Sequence, residues 1–355
     1  MGQLLTKLTI NDHNALAIVF VTFIISMLLT FIVKKVAAFV GAMDEPNYRK
    51  VHTKPVPRMG GLAIFFAFAF GYMIFCKPTT QMISVLLGGF IIILTGVVDD
   101  IKPVPAKWKF LCQTIAASIM VIYGKLYFSD ITLLGLRFVF PTWVNICLSI
   151  FFTVSIINAI NLIDGLNGLS SGNGIIYFIT IAIIGFRLGL FGGLDIILSL
   201  LMIGSTFGFW VHNFPKGGIF MGDTGSMFLG YMISVVALIG YKVATITSIV
   251  IPIVILFVPI LDTVLAIVRR LIHHKSIGEP DKEHLHHQLL KMTSSPVKTV
   301  LIIYVMNIMF SLVSIEFVTG EKQLAIALYI CLLIAFLFLI MKTDILFDQK
   351  KKNNK

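Results

Sequence analysis

Along the chain, long runs of uniformly apolar residues are separated by short polar segments. Within the runs no polar face recurs at the helical period, so these are not the half-buried helices of a water-soluble core. A window of about 19 residues, the length that crosses a bilayer's hydrocarbon core, predicts eleven helices. They cover residues 15–33, 60–76, 83–98, 108–124, 143–160, 174–188, 194–212, 226–241, 245–268, 298–318 and 323–341. The sixth and seventh are divided only by the Gly-rich link 189–193. The expected fold class is all-α: a polytopic membrane protein with about 11 transmembrane helices.

Composition agrees. Of 355 residues, 57% are hydrophobic and 13% charged, where soluble proteins carry about 45–50% and about 25%. The four cysteines, Cys76, Cys112, Cys147 and Cys331, lie in or beside apolar runs without C-x-x-C spacing and read as small buried hydrophobes. The first run is too long for a signal-peptide core and precedes its basic cluster, so no cleaved secretory signal is expected.

The net charge of +11 is read first as topology and attraction to anionic lipid, not as nucleic-acid binding. Loops after odd-numbered spans, with the C-terminal tail, hold 21 of the 28 Lys and Arg. The positive-inside rule therefore places the N-terminus outside and the C-terminus in the cytoplasm. The same side holds 12 of the 17 carboxylates and seven of the eight His. Acidic residues contribute little to orientation, so their asymmetry needs another cause. An ion-coupled transporter keeps ionisable groups near the midplane, and a scaffold leaves the asymmetry unexplained. This chain concentrates its chemistry at one membrane surface.

Five loops carry that chemistry. In loop 34–59, Arg49, Lys50, His52, Lys54 and Arg58 surround Pro55 and Pro57 ahead of Gly60-Gly61, which suits either a phosphate or anionic head groups. In loop 99–107, Asp99 and Asp100 are adjacent. Carboxylates about 5 Å apart repel by roughly 3–4 kcal/mol at an effective dielectric near 20, so a divalent ion or the nearby Lys102, Lys107 and Lys109 must offset them. Loop 161–173 continues a stripe of Asn158, Asn161 and Asp164 at every third residue, followed by Asn167. Such side chains beside a membrane span are costly without partners. Loop 213–225 contains Phe220-Met-Gly-Asp223-Thr224-Gly225, where Asp223 reads as a metal carboxylate or a helix cap. Loop 269–297 carries Arg269, Arg270, His284, His286 and His287. If helical, it puts His284 and His287 on one face with His286 turned away, for a zinc ion or for a diphosphate. Together these residues make a kit for phosphoryl chemistry on an anionic substrate.

As a set, and in this order, the motifs resemble the polyprenyl-phosphate N-acetylhexosamine-1-phosphate transferase family over residues 15–341. Arg49-Lys50-x-His52, Pro57-Arg58-x-Gly-Gly and His284-x-His286-His287 are more similar to its GlcNAc-1-phosphate branch, whose members start envelope polymers such as wall teichoic acid, than to its pentapeptide branch. The resemblance implies a bacterial plasma-membrane enzyme with one transferase domain (1–341), a basic tail (342–355) and a cytoplasmic active site. Undecaprenyl phosphate would attack the β-phosphorus of UDP-GlcNAc and release UMP, with Mg²⁺ as cofactor and Mn²⁺ able to substitute. Carried over residue by residue, Asp223 would hold the metal, with Asp99 and Asp100 as further candidate ligands, and Phe220 would stack on uracil. Asn158, Asn161 and Asp164 would line the nucleotide and diphosphate pocket. Asp99 and Asp100 would orient or deprotonate the lipid phosphate beside Lys109. His284, His286 and His287 would hold phosphate or sugar with Arg269 and Arg270 nearby, and Lys54 is a weaker match to a nucleotide-site lysine. A homodimer is a further family-level expectation. One departure stands out: the family commonly has Asp-Gly-x-Asp-Gly, whereas here the second acid is Asn167. Its amide can still pair with uracil, accepting and donating, but is a poor metal ligand or base.

Overall fold

A computed structural model of the protein describes residues 9–10, 13–46, 54–129, 131–133, 136–243, 250–272 and 284–341. Arg49, Lys50, His52, the loop 273–283 and the tail 342–355 therefore lie outside the described residues. The helices are α1 (Ala15–Phe39), α2 (Gly61–Phe75), α3 (Thr80–Ile101), α4 (Ala106–Ser118, widening into a π-helical turn over Ile119–Tyr123), α5 (Thr142–Ile163), α6 (Leu169–Arg187) and α7 (Leu194–Asn213). They continue with α8 (Gly222–Val243), α9 (Val250–Ile255), α10 (Phe257–Ile272), α11 (Leu285–Thr293), α12 (Pro296–Thr319) and α13 (Lys322–Met341). Three antiparallel ribbons pair β1 (Thr9–Ile10) with β2 (His13–Asn14), β3 (Met43–Asp44) with β4 (Val56–Pro57), and β5 (Ile131–Leu133) with β6 (Leu136–Phe138).

The chain is an all-α, multi-pass membrane protein. Helices α1, α3, α5, α6, α7, α8 and α12 are each long and apolar enough to cross a bilayer, and α2 and most of α13 are shorter apolar helices. Every apolar window predicted from sequence falls at least partly on a helix, but the ninth is interrupted between α9 and α10. Pro259 lacks the N–H that would bond the carbonyl of Ile255, the last residue of α9, which accounts for the break. Large side chains such as Phe20, Phe31, Phe151 and Phe338 are more than half exposed, as expected where the surrounding solvent is lipid.

The most buried span is α8, enclosed by α2, α3, α5, α6 and α7. Close approach depends on glycine: a Cβ at Gly61 would lie 2.2 Å from the backbone of Gly225. A second apolar cluster, with Leu285, Leu289, Val300, Ile303, Phe310 and Phe336, joins α11, α12 and α13. The C-terminal ends of α3 and α5, the N-terminal end of α8, the β3–β4 ribbon and α11 all converge on the same end of the molecule. The chemistry follows from that convergence.

Candidate active site

The first turn of a helix leaves backbone N–H groups without partners, and α8 finds its acceptor on another helix. Asp100 Oδ1 accepts from Asp223 N at 3.0 Å, and Oδ2 accepts from Thr224 N at 3.2 Å and Thr224 Oγ1 at 2.6 Å. Arg58 Nε lies 3.3 Å from the same carboxylate, whose side chain is fully buried. Gly222 is left-handed (φ +71°), and a Cβ there would lie 2.2 Å from Asp100 Oδ2. So neither Asp223 nor Thr224 caps α8; Asp100 does, from the end of α3.

Asp99 points elsewhere. Its Oδ1 accepts from Val104 N at 2.8 Å and pairs with Lys109 Nζ at 3.2 Å. Lys109 Nζ also donates to Asp223 Oδ2 at 2.9 Å, and Arg58 reaches Asp223 Oδ1 and Asp44 Oδ1 at 3.7 Å each. The repulsion expected between adjacent carboxylates is thus relieved separately, Asp99 by Lys109 and Asp100 by Arg58. Arg58 is delivered by pairing of Asp44 with Val56 and by two loop contacts: Phe220 N donates to Pro57 O at 2.8 Å, and Gly60 N to Phe220 O at 3.0 Å.

Beside this cluster opens a cavity of about 610 Å³, within the usual range for small-molecule sites. Its walls include Arg58, Asn161, Asp164, Asn167, Lys216, Phe220, Asp223 and His287. Two wall loops are tied by Asn213, whose Oδ1 accepts from Gly168 N at 2.6 Å while Nδ2 donates to Ile219 O at 2.8 Å. Burial pushes the Asp164 carboxyl up to about 7; the Ser170 hydroxyl opposes the shift and the nearby Asp223 charge adds to it.

Several expected site residues, Asn158 among them, do not line the cavity, and Asn161, which does, also makes a contact between helices. Asn158 Nδ2 donates to Gln113 Oε1 at 2.7 Å, and Asn161 Nδ2 to Ser226 Oγ at 2.8 Å. The Asn stripe is therefore a polar seam binding α5 to α4 and α8, and only its end reaches the cavity. Lys54 is exposed, and Arg269 and Arg270 are buried in the last turn of α10; none of the three lines the cavity. Of His284, His286 and His287, only the last lines it. The predicted face shared by His284 and His287 is corrected because His284 precedes α11 in extended conformation (φ −60°, ψ 151°), outside the helical period. His284 Nδ1 lies 3.1 Å from Asp262 Oδ2. His286 is packed under Gly165, 2% exposed, and burial pushes its imidazole down to about 3.

Sequence reasoning gave Arg58 only a general phosphate or head-group role within its basic loop, and did not assign Gln113, Asn213, Thr224, Ser226 or Asp262 to the site. Arg58 and Asp262 carried a usable signal: the first sits in a motif beside Gly60-Gly61, and the second is an acid within an apolar run, costly without a partner.

Among the described residues no group of three His, Cys, Asp or Glu side chains is arranged to hold a metal. A hard cation such as Mg²⁺ does not need one, because it is commonly bound by one or two carboxylates together with substrate phosphates. Asp223 fits that donor set: it reaches the cavity, and Lys109 and Arg58 already mark its oxygens as a place where positive charge collects. Asp100 fits it poorly, since both oxygens are engaged by α8.

Residues 82–241 match the model of glycosyl transferase family 4, a stretch that contains Asp99, Asp100, Lys109, Asn161, Asp164 and Asp223. Over 350 residues the chain is 43% identical to a Bacillus subtilis protein named as a probable undecaprenyl-phosphate N-acetylglucosaminyl 1-phosphate transferase, covering 96% of each chain. It is 35% identical to a Mycobacterium tuberculosis decaprenyl-phosphate N-acetylglucosaminephosphotransferase over 79% of this chain and 77% of that one. With the Escherichia coli undecaprenyl-phosphate alpha-N-acetylglucosaminyl 1-phosphate transferase it shares 28% over 76% and 74%. A correspondence that runs nearly end to end, and whose family match encloses the carboxylate cluster, makes this chain a member of glycosyl transferase family 4.

Proposed function

We propose that the protein transfers N-acetylglucosamine 1-phosphate from UDP-GlcNAc to undecaprenyl phosphate, giving undecaprenyl-diphosphate-GlcNAc and UMP, as the first membrane step of a cell-envelope polymer such as wall teichoic acid. An oxygen of the lipid phosphate forms a bond to the β-phosphorus, and the bond from that phosphorus to the bridging oxygen breaks, leaving with UMP. The observation that carries the reading is one cavity in which Asp223, flanked by Lys109 and Arg58, meets the amide and aromatic set Asn161, Asn167 and Phe220. The names of the Bacillus subtilis and Escherichia coli relatives support the same acceptor and the same transferred group.

Asp223 would hold Mg²⁺, which would shield the diphosphate and polarise its phosphoryl oxygens. Lys109 keeps Asp99 and Asp223 close and offers its ammonium to developing charge. Asp99 is the carboxylate best placed to orient or deprotonate the acceptor, because Asp100 is committed to α8. Phe220 and Asn167 hold the uracil, and His287 contacts the donor's phosphate or sugar.

Eleven spans, an outside N-terminus and a cytoplasmic active site complete the topology, supported by the lysine and arginine asymmetry of the loops. A single transferase domain fits the convergence of the described parts of these loops on one end. The test is UMP release by purified protein supplied with Mg²⁺, undecaprenyl phosphate and a panel of UDP-hexosamines. UMP is expected with UDP-GlcNAc and only when all three are present; its absence with every UDP-hexosamine refutes the reading.

A further inference from the structure

Asp262 lies in α10, 4% exposed, 22 residues before the histidine segment in sequence. A carboxylate so buried is costly unless its oxygens are satisfied. Both are taken up by the start of α11. Oδ1 accepts from Leu285 N at 2.7 Å, and Oδ2 faces His284 Nδ1 at 3.1 Å. His286 Nδ1 is 4.0 Å from the same oxygen, and the His284 and His286 rings stack with centroids 5.7 Å apart. His284 occupies the capping position of α11 but its own side chain makes no cap. Asp262 supplies that function from another helix, just as Asp100 does for α8.

One acid thus fixes the capping residue and the first residue of a nine-residue helix. Leu285 and Leu289 hold the helix to α12 by apolar packing, and Thr293 Oγ1 meets Thr299 Oγ1 at 2.7 Å at its far end, so Asp262 supplies the polar anchor at the N-terminal end. His287 follows within the first turn: its N–H donates to His284 O at 2.9 Å, and its side chain lines the large cavity. Turning this helix by one position, about 100°, would take His287 off the cavity wall.

We propose that Asp262 is a positioning residue: it anchors His284 and Leu285 so that α11 presents His287 to the UDP-sugar, and it acts on turnover only through that presentation. The inference rests on the proposed function of the cavity. His287 shares its wall with Phe220 and Asn167, so the effect belongs to the donor and not to the lipid acceptor.

The test is a double-mutant cycle on the full-length protein in detergent, following UMP with UDP-GlcNAc and undecaprenyl phosphate. Asp262→Ala and His287→Ala are each expected to lower kcat/KM for UDP-GlcNAc by about tenfold or more, while KM for undecaprenyl phosphate stays within about twofold. The double variant is expected within about threefold of His287→Ala alone, because residues acting as one unit are not additive. Asp262→Asn keeps an acceptor for Leu285 N–H and guards against misfolding of the alanine variant; it should show a smaller loss with the same non-additivity. In hydrogen exchange, residues 285–293 should lose protection in Asp262→Ala while 222–243 keep theirs. Wild-type turnover with additive losses, with either single variant equal to wild type, or with equal KM changes for both substrates overturns the proposal. No UMP from wild type refutes the function instead, and the exchange measurement still reads the anchor.

Discussion

Replacing Asp100 tests the division of labour between the two adjacent acids. Asp100→Ala strips the partner from two backbone N–H groups, from the Thr224 hydroxyl and from the Arg58 guanidinium at once. A buried donor left unsatisfied costs about 1–3 kcal/mol, and breaking a buried ion pair by removing one side costs about 3–5 kcal/mol. The four contacts share one carboxylate and do not add, so a loss of about 3–5 kcal/mol in stability is expected. Asp100→Asn keeps one acceptor oxygen but turns an amide N–H₂ toward donors, for about 1–3 kcal/mol. Asp99→Asn should cost about 1 kcal/mol or less, because the amide oxygen can still accept from Val104 N and its ion pair with Lys109 is not fully buried. Thermal melting of the three purified variants in one detergent, alongside UMP release, reads both properties. Activity should fall in all three, but the melting temperature should fall in the order Asp99→Asn, Asp100→Asn, Asp100→Ala. Asp100→Ala melting with wild type, or Asp99→Asn melting as low as Asp100→Ala, would refute the capping role.

Three further outcomes are expected. Asp223→Asn should insert and melt near wild type yet lose about two to three orders of magnitude in turnover, as for removal of one key electrostatic group; near-normal rates across Mg²⁺ concentrations would contradict the metal assignment. Asn167→Asp should remain active, because a carboxylate still accepts from uracil N3–H, and complete loss in a UMP assay would mean that the amide's donor is required. His286, with its pKa lowered to about 3 in the fold, contributes stability that is present above about pH 6.5, its unfolded value, and is lost as pH falls towards 3, because the unfolded chain binds the extra proton in that window. Whatever His286→Gln costs at pH 7.5 should therefore shrink by about 2 kcal/mol at pH 5, at about 1.4 kcal/mol per unit below 6.5; melting curves with the same offset at both pH values would contradict this.

The sequence made the helices legible because lipid demands long apolar runs, and 15–33 and 298–318 needed no further information. The break in the ninth run was also written in the chain, at Pro259, but a hydropathy window averages over it. In the site, Asp223 stood out from its Gly-Asp-Thr-Gly setting, and Phe220 only through the family resemblance. Asp100 looked identical to Asp99 in sequence; only packing of α3 against α8 sends one carboxylate to backbone N–H groups and the other to Lys109. The Asn158–Gln113 pair spans 45 residues and has no local signature. Likewise His284 and His287 share a helical face only if the helix begins before His284, and Asp262 makes it begin at Leu285.

Phosphoryl transfer and glycosyl transfer from UDP-GlcNAc differ in which bond breaks, and the lipid product records it. The decisive measurement is mass spectrometry of the lipid formed from undecaprenyl phosphate, with the released nucleotide quantified in the same reaction. The expected result is a gain of one N-acetylhexosamine phosphate per lipid and one UMP released for each. A gain of the sugar without its phosphate, accompanied by UDP, would contradict attack at the β-phosphorus.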